Sequence, residues 1–237
     1  MKKQTFLRAF FYIASLLILA MGIMLNTKSG LGVSAIISVA YSISIISKTN
    51  FGNVTFLLYA VFVVAEIILH IIRNRRYSRT ANATVAPAAH RDLKLVIIMD
   101  LLQLPLSLVF TRFMNLFSAL LPDPSGHIAA QFLFLAAGII LTGIGAAMSL
   151  DMRIVPNPGD GIVQAIADCV GKPVGLTKNC FDLCNICLTA SIGLIFAHRL
   201  VGIGIGTVIA VLAVGRVVAI FNHFFMEKMT AAAGVEY

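Results

Sequence analysis

Apolar residues run through this 237-residue chain in long blocks separated by short polar or basic stretches. A helical membrane crossing takes about 20 apolar residues at about 1.5 Å each. Six blocks meet that length: 7–26, 52–72, 95–119, 128–150, 179–198 and 201–222. Two more, 34–47 (SAIISVAYSISIIS) and 161–170 (GIVQAIADCV), are too short. As helices they extend about 15 to 21 Å, against a hydrocarbon core of about 30 Å. The pattern predicts six spans plus two short helices that re-enter the membrane or lie at its surface.

Composition agrees. The hydrophobic set makes up 59% of residues and charged residues only 12%, with a mean hydropathy of +0.95. Soluble domains are roughly half apolar and a quarter charged, which excludes that class. The reading is an all-α polytopic membrane protein with one membrane domain over 1–237 and no soluble domain. A signal peptide is not expected at Lys2-Lys3 and Arg8, because no small-x-small cleavage site follows Phe10 to Leu25.

The net charge of +8 raises the question of nucleic acid in a soluble protein. Here the basic residues lie between apolar blocks with no recognition motif around them, so the expected partner is the bilayer and not nucleic acid. Arg73, Arg75, Arg76, Arg79, Arg91 and Lys94 stand against Asp92 alone in the loop 73–94. By the positive-inside rule this loop and the Lys2/Lys3/Arg8 end are cytoplasmic. Both ends of 52–72 then fit only if 34–47 does not cross. The loop 121–127 has no Lys or Arg and falls outside, and both termini fall inside.

The two halves read alike. Gly22-Ile-Met-Leu compares with Gly145-Ala-Ala-Met, and Phe51-Gly52 with Val174-Gly175. A Gly/Pro-rich break follows the first span of each half: Ser29 to Ser34, and Val155-Pro-Asn-Pro-Gly-Asp-Gly161. Repeat 1 runs over about 7–120 and repeat 2 over about 128–225. Three spans per half is an odd number, so the halves face opposite ways, an arrangement found in many secondary transporters.

Three stretches carry a family resemblance: Lys28-Ser-Gly-Leu-Gly-Val-Ser34, the Gly-Asp-Gly at 159–161, and Gly202-Ile-Gly-Ile-Gly-Thr207. Over about 10–222 the chain resembles the YczE/YyaS/YitT group of bacterial membrane proteins. That resemblance implies a multi-pass protein of the bacterial cytoplasmic (inner) membrane and says little about activity. The group often has Pro-Trp-Asp after Gly-Val-Ser. Here Ala35-Ile36-Ile37 follows, so no polar role of that Asp carries over.

Two sets of residues are candidates for function. At the breaks, helix N-termini present free N–H groups and about half a positive charge, suited to an anionic group. Asn26, Lys28, Ser34, Asn157 and Asp160 are the expected substrate-binding residues, with simple helix capping by Ser34 and Asp160 as the alternative. Within the spans lie Glu66, Asp100, Gln103, Arg112, Asp182 and Arg216, expected to gate or couple, because charge at depth is costly and usually faces an interior or a cavity. Asp100 and Arg216 fall at similar depth and are expected to pair. A structural ion pair or snorkelling is the competing account for Glu66 and Asp182.

Cys180, Cys184 and Cys187 share one face of the fifth span at i, i+4, i+7. With no histidine beside them, buried packing and free thiols are expected, and no metal or other cofactor. Walker, nucleophile-elbow, HExxH and dinucleotide motifs are absent from the sequence, so no enzyme is expected. The leading expectation is a transporter or permease for a small solute, an anionic one among the candidates. The alternative is a non-transporting scaffold or regulatory protein acting through the basic loop. Gly202, Gly204 and Gly206 permit close helix contact within the chain or in a homo-oligomer.

Overall fold

The computed structural model describes residues 2–80 and 93–235. The helices are α1 (Lys2–Lys28), α2 (Ala35–Ser47), α3 (Phe51–Thr80), α4 (Leu93–Leu120), α5 (Ile128–Asp151), α6 (Pro158–Val170), α7 (Val174–Ala197), α8 (Ile205–Phe221), a π turn (Asn222–Met226) and α9 (Glu227–Ala233). Six of them are long and apolar enough to cross a membrane: α1, α3, α4, α5, α7 and the α8–α9 run. Helices suit that setting because every backbone polar group finds its partner within the segment. Their bounds match the six apolar blocks, and α2 and α6 match the two short ones. The loop expected over 73–94 begins later, because α3 continues to Thr80. Its His90, Arg91 and Asp92 lie outside the described residues.

The seam of the fold is α1 against α5. A methyl group placed on Gly145 would stand 2.5 Å from the backbone nitrogen of Leu19, and one on Gly138 would stand 2.5 Å from that of Asn26. Gly22 meets the Leu141–Thr142 backbone in the same way. Small residues let two backbones approach where no water is present to drive association. The pairs 19/145, 22/142 and 26/138 make the helices antiparallel.

The remaining pairings follow the same logic. α2 packs on α7 and α3 on α6; α4 packs on α1 and α8 on α5; α2 meets α3 and α6 meets α7. Exchanging α1–α4 for α5–α8 maps these pairings onto themselves, as an inverted repeat requires. The departure is α3 on α4, which has no α7–α8 counterpart of similar extent among the described residues. Behind the bundle, the chain end returns to the start of α1, where Gly234 stands against Gln4. We call that side of the molecule the terminal face.

α6 is re-entrant. After α5 reaches the terminal face, Arg8 donates to the Met152 and Arg153 carbonyls and Tyr12, one turn deeper on α1, donates to Val155, each at 2.8 Å. The chain therefore turns back inward before α6 begins. α6 then runs outward beside α3 and parallel to it: Gly161 lies against Glu66, and Asp168 pairs with Arg73. Thirteen residues cover about 20 Å at helical rise, so α6 starts that far inside the bundle from its end at the terminal face. α2 does the same from the other side along α7, with Ser38 bonded to Thr189 and Ile43 and Ile46 beside Ile192 and Phe196.

Candidate functional site

The N-termini of α2 and α6 meet. Gly159 in the first turn of α6 has so little room that a methyl group there would stand 2.8 Å from Cδ1 of Ile36, in the first turn of α2. The two ends are finished differently. Asn157 caps α6, its carboxamide oxygen accepting from the Gly159 N–H at 3.0 Å, and Pro158 supplies a first residue with no N–H to satisfy. Ser34 caps α2 in position only, since its hydroxyl makes no capping bond. Capping by Asp160 is thus replaced by Asn157; Asp160 lies one turn on, in the acidic first turn of α6.

Around the start of α6 the chain gathers carboxylates. Both oxygens of Glu66 lie 2.8 Å from where a Gly161 methyl would stand, so any larger residue there would have to displace the carboxyl group. Glu66 accepts from the Gln103 Nε2 at 2.6 Å, and both residues are 1% exposed. Asp100, one turn away on α4, is bonded to His70 Nδ1 at 2.8 Å. Asp182 on α7 lies 3.6 Å from Lys178. Toward the terminal face, Arg73 pairs with Asp168 at 2.8 Å. Tyr59, Phe62, Phe110 and Phe181 form an aromatic group beside these residues.

Several expected positions fall elsewhere. Asp100 does not pair with Arg216: α4 packs on α3 and α1 while α8 packs on α5, and Arg216 is exposed. Equal depth in two helices does not make them neighbours. Arg112 is also exposed on α4. Lys28 sits half-buried in the last turn of α1, near the face opposite the termini. Asn26 is fully buried on the α1–α5 seam with neither carboxamide atom partnered. Cys180, Cys184 and Cys187 do not pack inward; all three are exposed along α7. Asp100 and Gln103 do share one buried face. Among the described residues, no group of three metal-ligating side chains comes together.

Sequence reasoning gave His70, Arg73, Tyr59 and Lys178 no place in the site. The signal was present: Tyr59, Glu66, His70 and Arg73 follow i, i+7, i+11, i+14, a single helix face.

A family model matches residues 6–223, from the first turns of α1 to the start of the π turn. The chain belongs to DUF6198, a family of unknown function. No curated protein and no solved structure matched. The DUF6198 match takes in both short helices and every side chain of the site, so the site lies wholly within the family's extent.

Proposed function

We propose that this DUF6198 protein is a transporter for a small solute bearing both an anionic and a cationic group, bound where α2 and α6 meet. The observation that carries the reading is the N-terminus-to-N-terminus contact of Ile36 with Gly159. α2 offers an N-terminus without a side-chain acceptor, suited to an anionic group. α6 offers Asp160, and Asp182 stands on the adjoining α7, suited to an ammonium. Inverted repeats with broken helices at their junction suit alternating access. In this reading the terminal face is cytoplasmic in a bacterial inner membrane, in line with the YczE/YyaS/YitT resemblance.

The test is a thermal-shift screen of the purified protein against free amino acids and betaines, with acetate and methylammonium as single-charge controls. A zwitterion should raise Tm, the controls should not, and Asp160→Asn should remove the response. Wild type and Asp160→Asn responding alike would overturn the proposal, as would controls matching the best zwitterion. The follow-up is uptake of that zwitterion into proteoliposomes.

A further inference from the structure

The polar face of α3 runs from the terminal face to the middle of the helix, and its acid, Glu66, has no counter-ion among the described residues. The charged groups that act on Glu66 are Asp100 on α4 and Asp160 on α6; others on the elements around it are Tyr59, His70 and Arg73 on α3, Asp168 on α6, and Asp182 with Lys178 on α7. Three pairs use up the basic groups: His70 with Asp100, Arg73 with Asp168, and Lys178 with Asp182. Glu66 and Asp160 remain.

The buried polar atoms identify what is missing. Glu66 Oε1 and Gln103 Oε1 are both fully buried and have no hydrogen-bond partner among the described residues, yet they belong to two groups already joined by one bond. Unpaired buried acceptors are unfavourable. What both lack is a donor. A protonated carboxyl carries an O–H donor, and a carboxamide oxygen accepts. One proton on Glu66 therefore removes an uncompensated charge and provides the donor the pair lacks.

We infer that Glu66 is a proton-binding site, loaded from the terminal face through His70 and Asp100, with Gln103 as its hydrogen-bond partner. A proton taken from water at that face passes the His70–Asp100 pair and comes to rest on a Glu66 carboxylate oxygen; no heavy-atom bond changes. Its loss leaves a carboxylate against Gly161, beside Asp160, and the two like charges push on the first turn of α6. Occupancy of Glu66 is thus coupled to the position of the helix that forms half of the proposed solute site. The coupling rests on the transport reading, whereas the proton site does not.

The experiment is infrared difference spectroscopy of the purified full chain in nanodiscs, taken between a mildly acidic and a mildly alkaline buffer. A carboxylic-acid C=O band is expected in wild type, lost in Glu66→Gln, kept in Asp182→Asn and shifted in frequency in Gln103→Leu. The last variant carries the test if Glu66→Gln does not fold. A band that survives Glu66→Gln overturns the site, as does a frequency unmoved by Gln103→Leu. So does loss of the band when sodium chloride replaces choline chloride at constant pH, which would make it a sodium site. Proteoliposomes separate the two proposals. A Glu66 band with no zwitterion uptake retires transport and leaves the proton site. Uptake equally driven by a pH gradient in wild type and Glu66→Gln retires the coupling through Glu66 and leaves transport.

Discussion

Ile36 and Gly159 stand 123 positions apart in the sequence and touch in the structure. The same spacing relates Gly22 to Gly145, Leu19 to Thr142, Ser38 to Gly161, and Glu66 to Thr189. The contacts follow it: Gly22 on Thr142 answers Gly145 on Leu19, and Glu66 on Gly161 answers Thr189 on Ser38. Two counterparts in direct contact lie on the axis that exchanges the halves. The short helices therefore meet on that axis, and the repeats differ there in chemistry: a carboxylate with glycine on one side, and two hydroxyls 2.7 Å apart on the other.

Gly161→Ala is expected to destabilise by about 1–3 kcal/mol, because its Cβ overlaps both Glu66 oxygens within a packed interior. Combining it with Glu66→Ala should recover part of that loss, since the two sites share one contact. The check is a double-mutant cycle of thermal denaturation in detergent, and additive losses would count against the contact.

Gly22→Val and Gly145→Val should each cost more, about 3 kcal/mol or above, or prevent folding, because what they meet is backbone that no rotamer change can clear. Gly215→Ala, with open space around it, should fall within about 0.5 kcal/mol of wild type. Yield and Tm of the monodisperse protein provide the comparison.

Asp100→Ala removes the carboxylate bonded to half-buried His70, for an expected loss of about 1–3 kcal/mol. Arg216→Gln, at an exposed position, should change stability by about 0.5 kcal/mol or less. If the two variants lost stability together and failed to add in combination, Asp100 and Arg216 would be partners after all.

The three thiols of α7 face outward, into hydrocarbon that disfavours the thiolate a maleimide needs, so Cys184 and Cys187 should resist maleimides in membranes and react once the chain is unfolded in detergent. Mass spectrometry of the labelled chain reads the result. Labelling in membranes by a charged, impermeant maleimide would mean that this face of α7 lines water.

Re-entry of the short helices predicts where the loops lie. Cysteines placed at Gln4 and Asn50 in a cysteine-free background should label from opposite sides, and one at Arg76 from the side of Gln4. Labelling of positions 4 and 50 from one side would mean that α2 does not turn back.

Much of this was legible in the sequence, because the bilayer makes length and apolarity nearly sufficient. A run of about 20 apolar residues has one stable backbone solution in hydrocarbon, and a run of 13 cannot cross. That logic gave all six spans and both short helices, and the broken-helix order that marks the repeat. It also picked out Glu66, Asp100 and Asp182 as costly charges within spans, along with Arg112 and Arg216, and Asp160 as a residue at a helix break.

Partnership was not legible, because depth along a helix is a one-dimensional quantity and contact depends on which helices pack and on the angle each face presents. Asp100 found His70 and not Arg216 because α4 packs on α3 and α1 while α8 packs on α5. The α7 cysteines share a face by spacing alone, but only packing decided that this face points outward. The sequence by itself determined how many times the chain crosses and where it breaks. Tertiary structure alone decided that the breaks meet at Ile36 and Gly159, since the close backbone approach of Gly22, Gly138 and Gly145 sets how the two halves lock together.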